Sequence, residues 1–185
     1  MIRIETDRLI LRNYCKTDIN DFFEYMSLEY TAQFEDFDPM TYEECAAALN
    51  RRITMDNALV VELKPEHKVI GDVNYSVADD DIRDRTFVIG YDFNVKYEKH
   101  GYATEACTAL VDYIFGKLGG RRVYAECNDD NLNSIKLLER LNFRREGYFL
   151  EDVTFKSDES GNPIYINSYQ YAILKKEWDE IGRNK

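Results

Sequence analysis

The sequence predicts an α+β protein: a single domain over residues 1–185, in which helices flank a mainly antiparallel central sheet. Two observations predict this class. Period-two and helical apolar patterns follow one another in the order β-α-α-β-β-β-α-β-α-β-β. The chain has 185 residues, 44% of them hydrophobic, which suits one core, and no repeat, low-complexity tract or Pro/Gly-rich linker divides it.

The N-terminal third predicts one strand and one helix. Residues 8–14 alternate between apolar and polar side chains, as a half-buried strand does. A helix then begins at Thr17 or Asp18, because both residue types cap helices and the apolar side chains that follow have helical spacing. Residues 28–40 are acidic and aromatic without periodicity, and we expect an irregular connection there.

A second helix and three strands follow. Thr41 and Glu44 have the spacing of a capping box, which predicts a helix that continues to about Ile53. Alternating or β-branched runs predict strands over 58–64, 68–78 and 86–94. The acidic segment DDDIRDR (79–85) separates the last two strands and is typical of a hairpin tip.

The clearest single element is a helix over residues 101–118. Its apolar side chains recur at 3, 4, 3, 4 spacing, and Gly119 and Gly120 end it. The remaining predictions are a strand over 122–127, a helix over 133–141, a strand that begins within 143–150, a turn at 161–163 and a final strand over 168–178.

Charge and composition limit the possible partners. The net charge of −11 disfavours a broad nucleic-acid surface, which needs Lys and Arg to meet phosphates. No segment approaches the roughly 20 apolar residues of a membrane span, and the charged, alternating N-terminus is unlike a signal peptide. We expect a cytoplasmic protein without nucleic-acid or membrane partners. Acidity favours cationic partners only weakly, because many soluble proteins share it.

The metal-ligating residue types are scattered. Cysteines occur at positions 15, 45, 107 and 127 without a C-x-x-C pair, and the two histidines are His67 and His100. This pattern predicts neither a zinc site nor a disulfide framework, and we expect reduced thiols.

A possible anion site lies at the start of the long helix, in the segment EKHGYATEA (98–106). The first backbone N–H groups of a helix lack internal partners and lie at the positive end of its dipole. Gly101 allows close backbone approach to a ligand, Ala103 keeps the next position small, and Lys99 and His100 add cationic character. The alternative is an ordinary helix start preceded by glycine.

Four segments carry a family resemblance. They are IGYDFNVKYEKHGYATEA (89–106), NLNSIKLLERLNF (131–143), the opening IETDRLILRNY and the closing YAILKKEW. Together, and in this order, they resemble the GNAT acyltransferases, and most closely the RimJ/RimL-like group that includes ribosomal-protein N-terminal acetyltransferases. The resemblance covers almost the whole chain and implies a central sheet that splays apart at the cofactor site.

The resemblance implies an acetyl-CoA-dependent N-acetyltransferase without a metal. Such an enzyme moves an acetyl group directly to a primary amine, on a peptide terminus or a small molecule, in a ternary complex. The implied cofactor-binding residues are Phe93, Val95, Lys99, His100, Gly101, Tyr102, Ala103, Thr104 and Asn131. The implied acceptor-binding residues are Tyr30, Phe34 and Glu35, and the protein is expected to be a monomer or a homodimer.

Four positions depart from the family pattern. In the phosphate loop, Glu98 replaces Gln or Arg, and Lys99 stands where relatives often have a second Gly. Leu138 replaces the Tyr that usually protonates the thiolate, and Asn142 replaces a Gly. Ser134 is the nearest alternative for protonating the leaving thiolate, unless it only occupies the first turn of a helix. The general base is Asp92, Glu126 or a water relay. Because of Glu98 and Leu138, a non-catalytic acyl-CoA-binding or regulatory module is the alternative function.

Overall fold

The computed structural model describes residues 1–78 and 82–183. The strands are β1 (Arg3–Glu5), β2 (Leu9–Asn13), β3 (Ala58–Leu63), β4 (Lys68–Val77), β5 (Thr86–Phe93), β6 (Arg122–Asn128), β7 (Arg144–Ser157) and β8 (Pro163–Leu174). The helices are α1 (Ile19–Met26), α2 (Glu29–Ala32), α3 (Tyr42–Arg52), α4 (Tyr102–Gly116), α5 (Leu132–Arg140) and α6 (Lys175–Arg183). Within the described ranges, no helix has the length and apolar character needed to cross a membrane.

The chain divides into two compact units. The first comprises residues 1–75 and 90–110, and the second comprises 76–89 and 111 to the C-terminus. Strand β5 and helix α4 therefore each contribute one part to each unit.

The first unit is built on antiparallel strands in the order β1-β2-β3-β4. Helices α1 and α3 pack on this sheet around a core that includes Phe22, Tyr25, Met26, Leu49 and Val60. The predicted capping box starts α3: the Glu44 N–H donates to Thr41 Oγ1 at 3.3 Å, and the Thr41 N–H donates to Glu44 Oε2 at 2.8 Å. Asp18 is the N-cap residue of α1, one of the two residues predicted, but its side chain makes no capping hydrogen bond there and forms an ion pair with Arg12 instead.

The second unit has strand order β5-β6-β8-β7. Strands β5 and β6 run parallel, with a register that covers Thr86 to Val88 against Arg122 to Tyr124, whereas β6–β8 and β7–β8 are antiparallel. The short parallel register agrees with a sheet that splays. The mixed, mainly antiparallel sheet flanked by helices confirms the predicted fold class.

Several element boundaries differ from the sequence predictions. The predicted final strand over 168–178 is wrong at its end, because β8 stops at Leu174 and α6 follows. The Leu174 N–H donates to Glu177 Oε2 at 2.8 Å, which satisfies a backbone donor at this helix start. The segment 28–40 is not wholly irregular, since it contains the single turn α2. An unpredicted strand, β1, precedes β2.

The long helix is also shorter than predicted. Helix α4 covers 102–116 rather than 101–118, and Gly119 adopts φ +69° just beyond it. The predicted hairpin tip DDDIRDR falls partly on residues 79–81, which lie outside the described residues.

Candidate active site

The segment that leads into α4 is anchored by a buried amide. Asn94 is fully buried directly after β5, and its N–H donates to the Ile70 carbonyl at 2.9 Å. Its side chain donates to Glu24 Oε1 at 3.1 Å and accepts from the Lys96 N–H at 3.1 Å. The hydrogen bond from Lys68 lowers the pKa of Glu24 to about 2, so this anchor stays ionised. The chain therefore leaves the sheet in a fixed direction.

The loop before α4 has alternating backbone conformation. Lys99 has φ +63° and Gly101 has φ +80°, whereas His100 between them has negative φ. Successive N–H groups in such an alternating backbone form concavities that bind anions. The first helical hydrogen bond runs from Glu105 N–H to the Gly101 carbonyl at 3.0 Å, so the helix opens directly at this concavity. The geometry suits a phosphate group.

The carboxylate of Glu98 has a partner on another element. The Tyr30 hydroxyl, from α2, donates a hydrogen bond to Glu98 Oε1. The Glu98 carboxylate is thus bound by a side chain outside the loop and does not depend on the N–H groups of the loop for a partner. The contact also links the loop to the segment that the sequence assigns to acceptor binding.

Arg8, between β1 and β2, lies against the same loop. Its Nη1 donates to the His100 carbonyl at 2.9 Å, and its Nε donates to Glu105 Oε2 at 2.7 Å. The guanidinium carbon lies 4.6 Å from the centroid of the Tyr102 ring. Sequence reasoning missed Arg8, because 97 residues separate it from Glu105 and no local pattern connects the two.

A buried polar network lies in the first unit. Asp72 is fully buried and accepts from the Tyr25 hydroxyl at 2.7 Å. Arg52 Nη1 lies 2.9 Å from Asp72 Oδ1 as an ion pair, although the angle is not that of a hydrogen bond. The same Arg52 nitrogen donates to the Tyr14 hydroxyl at 2.7 Å. Burial of this kind requires a paired charge.

The charges of this network also shift the pKa values of two further carboxyl groups, Glu35 and Asp92. Burial raises the pKa of Glu35 to about 7, and repulsion by Asp36 and Asp72 adds to the effect while Arg52 opposes it. Burial, followed by repulsion from Asp72 and Glu35, also holds the pKa of Asp92 well above its usual value. Both side chains keep some solvent exposure. A carboxyl group with a pKa near neutral can exchange a proton at physiological pH.

Of the other predicted acceptor residues, Tyr30 is exposed and Phe34 is half-buried. Of the two carboxylates proposed as bases, Glu126 is exposed and accepts from Gln170 Nε2 at 2.9 Å. Of these two candidate bases, Asp92 is therefore the one that is more shielded from solvent.

The second unit contains the remaining predicted residues. Asn131 caps α5, with its Oδ1 accepting from the Ser134 N–H at 3.0 Å. The Ser134 side chain is buried and hydrogen-bonds to the Cys127 thiol; burial raises the pKa of that thiol, and the Ser134 contact opposes the rise. Leu138 is fully buried. Asn142 has φ +60°, the left-handed conformation that its replacement of a glycine requires.

The predicted residues therefore fall into two groups. Phe93, Val95, the loop 99–104 and the acceptor residues belong to the first unit, whereas Asn131 and Ser134 belong to the second. Phe93 ends β5, but Val95 begins a 3₁₀ turn and its carbonyl accepts from the Glu98 N–H at 3.2 Å.

The mixed, mainly antiparallel sheet flanked by helices is the fold of the GNAT acyltransferases. The chain belongs to the GNAT acetyltransferase family, because the family model for the acetyltransferase (GNAT) domain matches residues 8–144. It is an N-acetyltransferase of this family, whose members use acetyl-CoA and act on amine acceptors.

Similar proteins agree with this assignment. The uncharacterised N-acetyltransferase YnaD of Bacillus subtilis (strain 168) is 31% identical over 180 residues, which cover 96% of this chain and 100% of YnaD. The crystal structure of a GNAT-family acetyltransferase from Bacillus anthracis has a TM-score of 0.86 at 28% identity, over 95% of this chain and 99% of that one. The ribosomal-protein-S5-alanine acetyltransferase of Vibrio fischeri shares the fold, with a TM-score of 0.76 at 21% identity over 96% of this chain and 99% of that one.

Proposed function

We propose that this N-acetyltransferase binds acetyl-CoA with its pyrophosphate at the start of α4 and transfers the acetyl group directly to a primary amine in a ternary complex. The observation that carries the proposal is the loop 99–101, where φ alternates in sign immediately before the helix. Backbone N–H groups and the helix dipole supply the attraction for phosphate. The negative charge of Glu98 opposes phosphate binding less than expected, because the Tyr30 hydroxyl donates to the Glu98 carboxylate.

The loop side chains and the chain ahead of them complete the proposed cofactor site. Tyr102, Ala103 and Thr104 form the first turn of the helix, and the His100 ring stacks on Tyr102 with centroids 5.6 Å apart. We assign the main chain of Phe93 and Val95 to the pantetheine arm, as an added-strand interaction. Asn131 is added to the proposed cofactor-binding residues because of the family resemblance.

The acceptor amine is assigned to the segment with Tyr30, Phe34 and Glu35. A primary amine must be neutral to attack the thioester carbonyl carbon, so a proton has to leave it. Glu35 and Asp92 are the candidates to receive that proton, because burial places the pKa of Glu35 at about 7 and raises that of Asp92. An α-amino group, with an ordinary pKa near 8, needs less help than a lysine amine near 10.4. A low-pKa primary amine is the favoured acceptor class.

Ser134 is assigned to the leaving group. As the new C–N bond forms and the C–S bond breaks, the CoA thiolate takes up a proton and the amine loses one. Leu138 cannot donate, whereas the Ser134 hydroxyl can relay a proton or hydrogen-bond to the thiolate. Its contact with the Cys127 thiol supports a local proton relay.

The first experiment is a thiol-release screen with acetyl-CoA across α-amines, peptides with free N-termini, polyamines and lysine-type amines. Acetyl transfer predicts CoA release that depends on the amine, fastest with low-pKa amines. Release with none of these classes, in a protein that binds acetyl-CoA, would refute the proposed acceptor class.

The placement of acetyl-CoA is tested with Gly101→Val and a matched glycine. Gly161, in the β7–β8 turn, has φ +83°, close to the +80° of Gly101, and a Cβ there meets nothing within 4 Å. Both variants carry similar backbone strain, but only Gly101→Val blocks the loop. Calorimetry should show at least about tenfold weaker acetyl-CoA binding for Gly101→Val alone, which is about 1.4 kcal/mol. Equal affinities of the two variants would contradict the placement.

A further inference from the structure

We propose that Arg8 is a phosphate-binding residue of this enzyme, which contacts the CoA pyrophosphate from outside the helix-start loop. The inference rests on the proposed position of acetyl-CoA at α4. Arg8 would add to that site a residue from the turn between β1 and β2, 93 positions before Gly101 in the sequence.

The position of the guanidinium carries the argument. A Cβ atom built on Gly101 would lie 3.5 Å from Arg8 Nη2, so this nitrogen borders the concavity formed by the loop. Arg8 Nη1 donates to the carbonyl of His100, the residue just before Gly101. The guanidinium also covers the Tyr102 ring. Arg8 thus contacts the residues on both sides of Gly101.

The guanidinium is held in place before any ligand binds. Both Nε and Nη2 lie 2.7 Å from Glu105 Oε2. Glu105 is itself fixed, because its Oε1 accepts from Thr6 Oγ1 at 2.5 Å and from the Arg8 N–H at 2.9 Å. Burial alone would raise the pKa of Glu105, but these hydrogen bonds outweigh it and the pKa lies below its ordinary value. The partner of Arg8 therefore stays ionised.

Enough donors remain for an anion. A guanidinium has five N–H groups. Nε donates one to Glu105 and Nη1 donates one to the His100 carbonyl, and a third is set aside for the ion-pair contact between Nη2 and Glu105. The other two are available, and the side chain is 45% exposed. A planar, ordered guanidinium suits phosphate and loses little side-chain entropy on binding.

Lys99 is the competing cation of the loop. Its side chain is exposed, and no hydrogen bond or ion pair of its ammonium group is found within residues 1–78 and 82–183. Holding that flexible side chain on a phosphate costs entropy that Arg8 has already lost. The geometry therefore favours Arg8 over Lys99 as the cation that binds the pyrophosphate.

The test compares Arg8→Gln and Arg8→Lys with the wild type and with Arg3→Gln. Arg3 is an exposed arginine of β1 paired with Glu5, so Arg3→Gln makes the same charge change on the same hairpin. Three probes are titrated into each protein: acetyl-CoA, 3′-dephospho-acetyl-CoA, which keeps the pyrophosphate, and acetyl-pantetheine, which has no pyrophosphate or 3′-phosphate. Weakly bound probes are measured by displacement.

Arg8→Gln should weaken binding about tenfold for both probes that carry the pyrophosphate, as expected for a partly exposed charged hydrogen bond. Arg8→Lys should lose less, while Arg3→Gln should bind all probes as the wild type does. Acetyl-pantetheine should bind Arg8→Gln and wild type equally. This last comparison separates phosphate contact from a purely structural role, because a distorted loop would weaken all three probes.

Three results would overturn the proposal: equal losses for all three probes, a loss confined to the probe with the 3′-phosphate, or unchanged affinities. A wild type that binds acetyl-CoA no better than acetyl-pantetheine would be a different failure. It would remove the proposed pyrophosphate site itself, and the inference about Arg8 with it.

Discussion

Replacing Glu35 with glutamine should stabilise the folded protein, and more so at high pH. Burial disfavours the ionised form of Glu35 and raises its pKa from 4.5 to about 7. A carboxyl group whose pKa is raised by folding costs stability as it ionises. The cost develops as the pH rises from the unfolded pKa to the folded pKa and is constant above about 7. Glutamine keeps the shape and removes the ionisation.

The magnitude follows from the shift. At about 1.4 kcal/mol per pKa unit, the full effect at pH 8 is about 3 kcal/mol. Partial exposure and the shared repulsion with Asp92 reduce it, so Glu35→Gln should raise the free energy of unfolding by about 1–3 kcal/mol at pH 8. At pH 5 most of the carboxyl is protonated when folded, and the gain should fall below about 1 kcal/mol.

Urea unfolding followed by circular dichroism is the appropriate assay. The single tryptophan, Trp178, belongs to the second unit, so its fluorescence is a poor reporter for Glu35 in the first. Glu66→Gln is the control, since Glu66 is an exposed residue of the β3–β4 turn and its replacement should change stability by less than about 0.5 kcal/mol at either pH. A loss of stability in Glu35→Gln that is equal at pH 5 and pH 8 would refute the reasoning, because it would mean that Glu35 makes a stabilising contact.

Two further predictions concern the reaction and its cofactor. Ser134→Ala should lower kcat about tenfold or more with little change in affinity for acetyl-CoA, because it removes the proposed donor to the thiolate; equal turnover at every pH would leave Ser134 as a helix-start residue. Glu98→Gln should bind acetyl-CoA as well as wild type or modestly better in calorimetry, since it removes a negative charge near the phosphates while leaving a side chain that can accept from Tyr30. A large loss of affinity would indicate a favourable role for the Glu98 charge.

Short sequence patterns predicted the elements whose stabilising contacts lie between residues close in sequence. The capping residues Thr41 and Glu44 and the apolar spacing of α4 are properties of short windows, and both predictions were confirmed. The end of β8 was mispredicted because the alternation of the strand runs directly into residues of α6. There Lys175 forms an i, i+4 ion pair with Asp179, and Trp178 Nε1 donates to Asp112 at 2.6 Å. Only the second of these contacts depends on the tertiary structure.

The candidate site was predictable only in part. Gly101 and its neighbours are recognisable because one loop and one helix start contain them. Arg8 contacts the loop at the His100 carbonyl and is held there by Glu105. The pKa of Glu35 depends on Asp72 and Arg52. In both cases the partners are distant in sequence. Such contacts are determined by the packing of β-strands against helices, which no single window of sequence contains.

The burial of the thiols has a practical consequence for measuring activity. Cys15 is exposed, whereas Cys45, Cys107 and Cys127 are buried. Burial raises the pKa of all three buried thiols. The pKa of Cys45 rises to about 11, that of Cys107 lies far above its ordinary value, and that of Cys127 is raised against the opposing hydrogen bond with Ser134, so all three are poor sources of thiolate. A chromogenic disulfide that detects released CoA should therefore label Cys15 and leave the other thiols unmodified while the chain is folded. The blank of such an assay should settle at one equivalent per enzyme, and any slow rise above that value would report loss of native enzyme in the cuvette.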